Sequence, residues 1–126
     1  MTTFAIFCGS RSWEDHEPIK TKLSELPIDS TIIHGCAPGA DSIAGYEASL
    51  IGLDVIEVPA PWKQLGSSAG PVRNGWMLQM LLVAKKLGQE VKVFAFHEDP
   101  GLGRGTRDMV RQARKSSIPV CIWVLP

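Results

Sequence analysis

Short apolar runs alternate with stretches of helical periodicity along the chain. Thr3–Cys8 is continuously apolar, as expected of a strand covered on both faces. After a break at Gly9–Trp13, Ile19, Leu23 and Leu26 repeat at helical spacing, in a helix that starts at Asp15 or a neighbour and is ended by Pro27. Thr31–Ile33 predicts a second strand, followed by the loop His34–Asp41 and a helix carrying Ala44, Ala48 and Ile51 up to Gly52. Asp54–Val58 reads as a third strand, closed by Pro59-Ala60-Pro61. Residues 62–70 lack clear periodicity. Pro71 then opens a helix over 71–87 through Met77, Leu81 and Ala84. Val91–Phe96 is the fourth strand, His97–Gly105 a loop, Thr106–Lys115 a helix and Ile118–Val124 the last strand.

Strands alternating with helices of this length predict a parallel sheet with right-handed crossovers. The expected architecture is a three-layer α/β sandwich, with one five-stranded parallel sheet in the order 3-2-1-4-5. Its switch point falls between strands 1 and 4, and ligands of such sheets bind beyond the carboxyl ends of the strands at that point. The loops Gly9–Trp13, His34–Asp41 and His97–Thr106 therefore converge on one expected site.

Each loop has the residues an anion site needs. Helix amino ends carry unpaired N–H groups and the positive end of the helix dipole. Gly35 and Gly39 let the backbone turn or a ligand approach, and Asp41 is a candidate cap for the helix that follows. Gly101-Leu102-Gly103-Arg104-Gly105-Thr106 offers backbone N–H groups and a hydroxyl. It is not a dinucleotide fingerprint, because the glycine spacing differs and the junction is not the first in the chain. Gly9, Ser10 and Arg11 after strand 1, with Arg73-Asn74 on the 71–87 helix, add a hydroxyl, an amide and two guanidinium forks suited to phosphates.

Composition narrows the reading. The chain has 126 residues, fitting one domain over 1–126, and 44% of them are hydrophobic. A formal net charge of zero argues against a strongly basic duplex-DNA binder and against polybasic membrane attachment. No apolar run is long enough to span a bilayer, and no signal-peptide layout precedes the first strand. Three widely spaced cysteines, Cys8, Cys36 and Cys121, do not suggest a disulfide framework, so a cytoplasmic setting is expected. His34, Cys36 and His97 lack zinc-like spacing and a fourth ligand, so no metal is expected. Arg104, Arg107, Arg111 and Arg114 form a stripe along the last helix, read as a solvated face except at Arg104. Trp76 and Met80, beside Met77 and Leu81, widen the apolar surface of the 71–87 helix and predict a homo-oligomer contact there.

Four blocks in order carry a family resemblance: Gly9–Trp13, His34–Ala44, Ala69–Met77 and Gly103–Met109. Together they resemble the YspA-like branch of the SLOG superfamily, the group containing the DprA/Smf proteins and the LOG cytokinin-activating enzymes. The resemblance implies a Rossmann-like fold whose glycine-rich loops bind nucleotides or nucleotide-derived ligands, with no added cofactor. LOG enzymes cleave the N-glycosidic bond of nucleoside monophosphates. Their arginine block is matched by Arg73 with Met77, and their Pro-Gly-Gly-x-Gly-Thr-x-x-Glu block by Gly103, Gly105 and Thr106. Where they carry a catalytic glutamate, this chain has Met109. Asp108 is expected to turn away from that position, leaving Asp41 and Arg73 as the candidate catalytic residues. The expected function is binding of a nucleoside phosphate or an ADP-ribose-like ligand, as a sensor or processing protein. The alternatives are a LOG-like phosphoribohydrolase and a DprA-like single-strand DNA binder, and nucleic acid is the less expected partner.

Overall fold

A computed structural model describes residues 2–125; Met1 and Pro126, the outermost residues of the expected unit, lie outside the described residues. Five strands, β1 (Thr3–Gly9), β2 (Thr31–His34), β3 (Asp54–Glu57), β4 (Glu90–His97) and β5 (Val120–Val124), form one sheet in the order β3-β2-β1-β4-β5. Every pairing is parallel. The helices are α1 (His16–Ser24), α2 (Ala40–Leu50), the short α3 (Trp62–Leu65), α4 (Ala69–Lys86) and α5 (Gly103–Lys115). This is the expected α/β Rossmann-like arrangement.

Alternation along the central strand builds the two halves of the core. Ala5 and Phe7 face one side of the sheet, where Ile32, Phe94 and Phe96 meet Ile19 and Leu23 of α1 and Ala44 and Ala48 of α2. Ile6 and Cys8 face the other side, where Ile33, Val93 and Ala95 meet Met77 and Leu81 of α4 and Met109, Val110 and Ala113 of α5. Phe7 is fully buried between Phe94 and Phe96, with ring centroids 4.8 and 5.9 Å away. Burying one such side chain contributes about 1.5–3 kcal/mol. Because both faces of β1 are covered, its sequence reads as an unbroken apolar run rather than an alternation.

Two helix starts differ from the expectation. Helix α4 begins at Ala69 rather than Pro71, after a 3-10 turn at Gly66–Ser68, and the stretch 62–65 is itself helical. Pro71 still lies in the first turn, where its missing N–H costs no intrahelical bond. Helix α5 begins at Gly103 rather than Thr106. Half of the glycine-rich loop is therefore the first turn of a helix, since isolated glycines lower helix propensity without forbidding the conformation. Helix α1 ends at Ser24, one turn before Pro27, and Asp15 caps it by accepting from the Glu17 N–H at 3.0 Å. No helix of the described residues is long and apolar enough to cross a membrane.

Candidate functional site

The loops after β1, β2 and β4 meet at the carboxyl edge of the sheet, and a cleft of about 900 Å³ opens between them and the starts of α4 and α5. That size is at the upper end for small-molecule sites. Gly9, Ser10, Arg11, Asp41, Arg73, Asn74, Gly103, Arg104, Gly105 and Thr106 all border it. Gly35 and Gly39 stand behind its wall instead.

The first loop is fixed by its neighbours. A side chain at Gly9 would overlap the Phe96 carbonyl oxygen and come within 2.9 Å of Ala40 Cβ. The Ser10 carbonyl accepts from the N–H groups of Ala40 at 3.1 Å and Trp13 at 3.3 Å. The Ser10 hydroxyl accepts from the Ser12 N–H at 3.1 Å and pairs with the Ser12 hydroxyl at 2.9 Å, so it is engaged within its own loop. Arg11 is exposed at the cleft edge.

Asp41 does not cap α2. The N-cap is Gly39, at φ +78°, with no side-chain cap bond, and a side chain there would overlap the Ser10 carbonyl oxygen. Asp41 lies inside the first turn, 5% exposed. Its Oδ2 accepts from the Gly35 N–H at 2.8 Å and the Ala37 N–H at 3.5 Å. The carboxylate thus closes the loop that precedes it. Burial raises the Asp41 pKa above the ordinary value, against the opposing pull of the Gly35 N–H and the Arg73 charge. Across the cleft, the Arg73 guanidinium donates to the Gly35 carbonyl and, through Nε, to Asn74 Oδ1 at 3.2 Å. Asn74 is buried and donates through Nδ2 to Asp108 Oδ2 at 3.0 Å and the Gly105 carbonyl at 3.3 Å. It joins α4 to α5.

The junction after β4 is the open one. Leu102, at φ +67°, is the N-cap of α5 and gives no side-chain cap bond; Gly103 follows at φ +63°. A side chain at Gly105 would meet nothing within 4 Å. The first turn of α5 holds no acidic residue, and Arg104 and Arg107 are exposed beside it. Among the described residues, Arg11, Arg73, Arg104 and Arg107 enter no ion pair with a side chain, whereas Arg111 pairs with Asp108 at 2.8 Å. Cationic groups and unpaired helix N–H groups thus face the same space, an arrangement that favours an anion.

Asp108 does turn away from Met109, but toward α4, and it still borders the cleft. Its carboxylate is held by Asn74, Arg111 and Gln112. Met109 is 1% exposed and packs in the core beneath the site.

Sequence reasoning left several cleft-lining residues unnamed, His97 and Trp62 among them. His97 accepts the Asp99 N–H at Nδ1, 3.0 Å away, which leaves its proton on Nε2, close to Gly103. Trp62 borders the cleft from α3. The available signal was topological: any segment following a strand's carboxyl end lies at this edge, including the aperiodic stretch after β3.

His34 and Cys36 belong elsewhere, in a smaller polar pocket of about 390 Å³ with Glu57, their ligand atoms all within 4.8 Å of one another. The three residues came together because His34 and Glu57 are register partners on β2 and β3, a pairing that linear spacing does not reveal. His34 Nδ1 accepts the Cys36 N–H at 3.0 Å, so its proton sits on Nε2, 3.6 Å from Glu57. A metal-binding histidine instead donates its second nitrogen outward. Glu57 thus lies within ion-pair reach of Nε2 but beyond hydrogen-bond distance.

Comparison with known proteins points to one family. The profile described as "YspA, cpYpsA-related SLOG family" matches residues 4–65. The Gene 61 protein of Mycobacterium phage D29 is 30% identical over 127 residues, covering 91% of each chain. The X-ray structure of DNA processing protein A (DprA) from Streptococcus pneumoniae aligns with a TM-score of 0.52 and 18% identity. That alignment covers 96% of this chain and 58% of the other, and at this identity the likeness is one of fold.

Proposed function

The chain belongs to the YspA, cpYpsA-related SLOG family, and from that premise we propose that it binds a nucleotide or nucleotide-derived ligand by its phosphate at the carboxyl edge of the sheet. Membership supports a nucleotide-processing role in general. The observation that carries the narrower reading is the uncapped first turn of α5, with Arg104 and Arg107 exposed beside it and Arg73 across the cleft. Backbone N–H groups of that turn and the Thr106 hydroxyl hold the phosphate, and the guanidinium groups balance its charge. The protein acts as a sensor or binder in the cytoplasm, as a single unit. Appreciable N-glycosidic hydrolysis is not expected: Asp108 is occupied by three donors, and Asp41 by the loop it closes.

Thermal unfolding with and without ligand tests this. A ligand at about a hundred times its dissociation constant stabilises the fold by about 2.7 kcal/mol. Nucleoside mono- and diphosphates and ADP-ribose are expected to raise the melting temperature, and free nucleosides much less. Replacing Arg104 and Arg107 together with Gln should remove most of the shift. Equal shifts with and without phosphate would refute the reading.

The chain also pairs with a second copy through α4. Trp76, Met80, Val83 and Leu87 recur every three or four residues along that helix and its end, and all are exposed, from 37% to 74%. Such a stripe matches the apolar seam of a helix pair, and a twofold axis would set it against itself. Sedimentation should give a dimer that Met80→Glu with Val83→Glu converts to monomer; a wild-type monomer at tens of micromolar would refute it.

A further inference from the structure

Trp62 opens α3, a single helical turn that contributes no buried residue to the fold. Half of its surface is exposed, 50%, although it borders the cleft. An indole presents a large flat apolar face, and in a concave polar site an uncovered face is available to a ligand. Its position is fixed from below: a side-chain carbon added at Gly70 would lie 3.5 Å from Cη2 of the ring, so the indole rests on the first turn of α4. Gly70 and Arg73 are three residues apart and therefore lie on one face of that helix. At ~1.5 Å of rise per residue, the ring sits about one helical turn from the root of the Arg73 side chain. Arg73 in turn reaches toward the second loop, and α5 begins on the opposite wall with its exposed arginines. The cleft thus has an aromatic side at Trp62 and a cationic side at Arg73 and the start of α5.

We infer that Trp62 is the platform on which the base of a nucleoside phosphate stacks, and that it gives the site its preference for nucleotides over sugar phosphates. This rests on the phosphate-binding reading of the cleft. Stacking on an aromatic side chain tolerates any base, because each base has a π face, and it discriminates only against ligands that lack one. The site should therefore accept several bases while rejecting ribose 5-phosphate in relative terms.

Titration calorimetry with the four ribonucleoside monophosphates and with ribose 5-phosphate tests the inference, on wild type, Trp62→Leu and Trp62→Phe. In the wild type the best nucleotide is expected to bind about tenfold tighter than ribose 5-phosphate, a difference equal to ~1.4 kcal/mol. Trp62→Leu should cut that ratio to about one while leaving ribose 5-phosphate affinity unchanged, and Trp62→Phe should restore most of it. An unchanged nucleotide-to-sugar ratio in Trp62→Leu overturns the role of Trp62 alone. Failure of every phosphate to bind wild type overturns the cleft reading and this inference with it. Far-UV circular dichroism should indicate the same helix and strand content for all three proteins, since no residue of α3 belongs to the buried core.

Discussion

After β2, the chain consumes its own loop amides; after β4, the equivalent groups open onto a cleft. The first junction is sewn shut. Gly35 and Ala37 donate to Asp41, Ala40 donates to Ser10, and the Gly35 carbonyl takes the Arg73 guanidinium. Its glycines are required by crowding: Gly39 turns at positive φ against the Ser10 carbonyl. The second junction has no side-chain cap, no acidic residue in the first helical turn, and a glycine, Gly105, surrounded by empty space. Two strand–loop–helix units with the same sequence grammar therefore do different work. One is a buttress that holds the cleft wall in shape; the other leaves its helix end open to the cleft. Glycine in a loop does not say which of the two it serves, and the space around its missing side chain does.

The largest effect should come from exchanging the same substitution between the two junctions. Gly39→Val forces a branched side chain into a positive-φ position, at ~1–3 kcal/mol of backbone strain. It must also displace a backbone carbonyl, so the total should exceed that range and leave little folded protein at 37 °C. Gly105→Val, in contrast, changes helix propensity by less than about 1 kcal/mol, and its Cβ has no neighbour within 4 Å beyond its own helix. It should fold normally and lose the phosphate-dependent rise in melting temperature. Thermal unfolding of both variants, with and without nucleoside monophosphate, decides the matter. A Gly39→Val protein of wild-type stability would end the buttress interpretation. A Gly105→Val protein with the full ligand shift would end the receptor one.

The contrast also explains what was legible in the sequence. The sheet order followed from apolar runs alternating with helical periods, because both faces of β1 must be covered and the crossovers have one hand. Strand ends in turn pointed to the edge where sheets of this kind bind ligands, and ten of the twelve residues named for the site from topology and chemistry border the cleft there. Polar commitments were not legible. Whether Asp41 caps its helix or reaches back to Gly35 depends on a few ångströms of loop path, and capping is the commoner fate of an aspartate beside a helix start. Met109 marks a departure from the catalytic pattern, yet sequence does not reveal that it is buried to 1% exposure at the base of the cleft while Asp108 keeps a carboxylate at its edge. The start of α5 was misjudged for a related reason. Gly103 and Gly105 read as loop by propensity, and tertiary packing of Thr106, Met109 and Val110 draws the helix back across them.

The smallest effect, and the one that sharpens the contrast most, concerns the charge inside the closed junction. Asp41 is buried, and its pKa is raised chiefly by that burial. An unfolded aspartate titrates near the ordinary value of 3.8, and the folded one above it. Between those two values the folded protein holds more protons than the unfolded chain, so this group makes stability fall as pH rises through the window. Above the window the ionised carboxylate remains less comfortable in the fold than its neutral form. Asp41→Asn removes the titration and keeps a carbonyl oxygen to accept from Gly35 and Ala37. The variant should therefore be modestly more stable than wild type at pH 7, and the advantage should shrink as pH falls through the window toward 3.8. Urea unfolding from pH 3.5 to pH 7.5 measures both curves. Removing a negative charge from the cleft wall should also tighten phosphate binding slightly, by Coulomb's law. If Asp41→Asn is instead destabilised at pH 7 and recovers in acid, ionisation stabilises the closed junction, and the carboxylate is part of the buttress in its charged form.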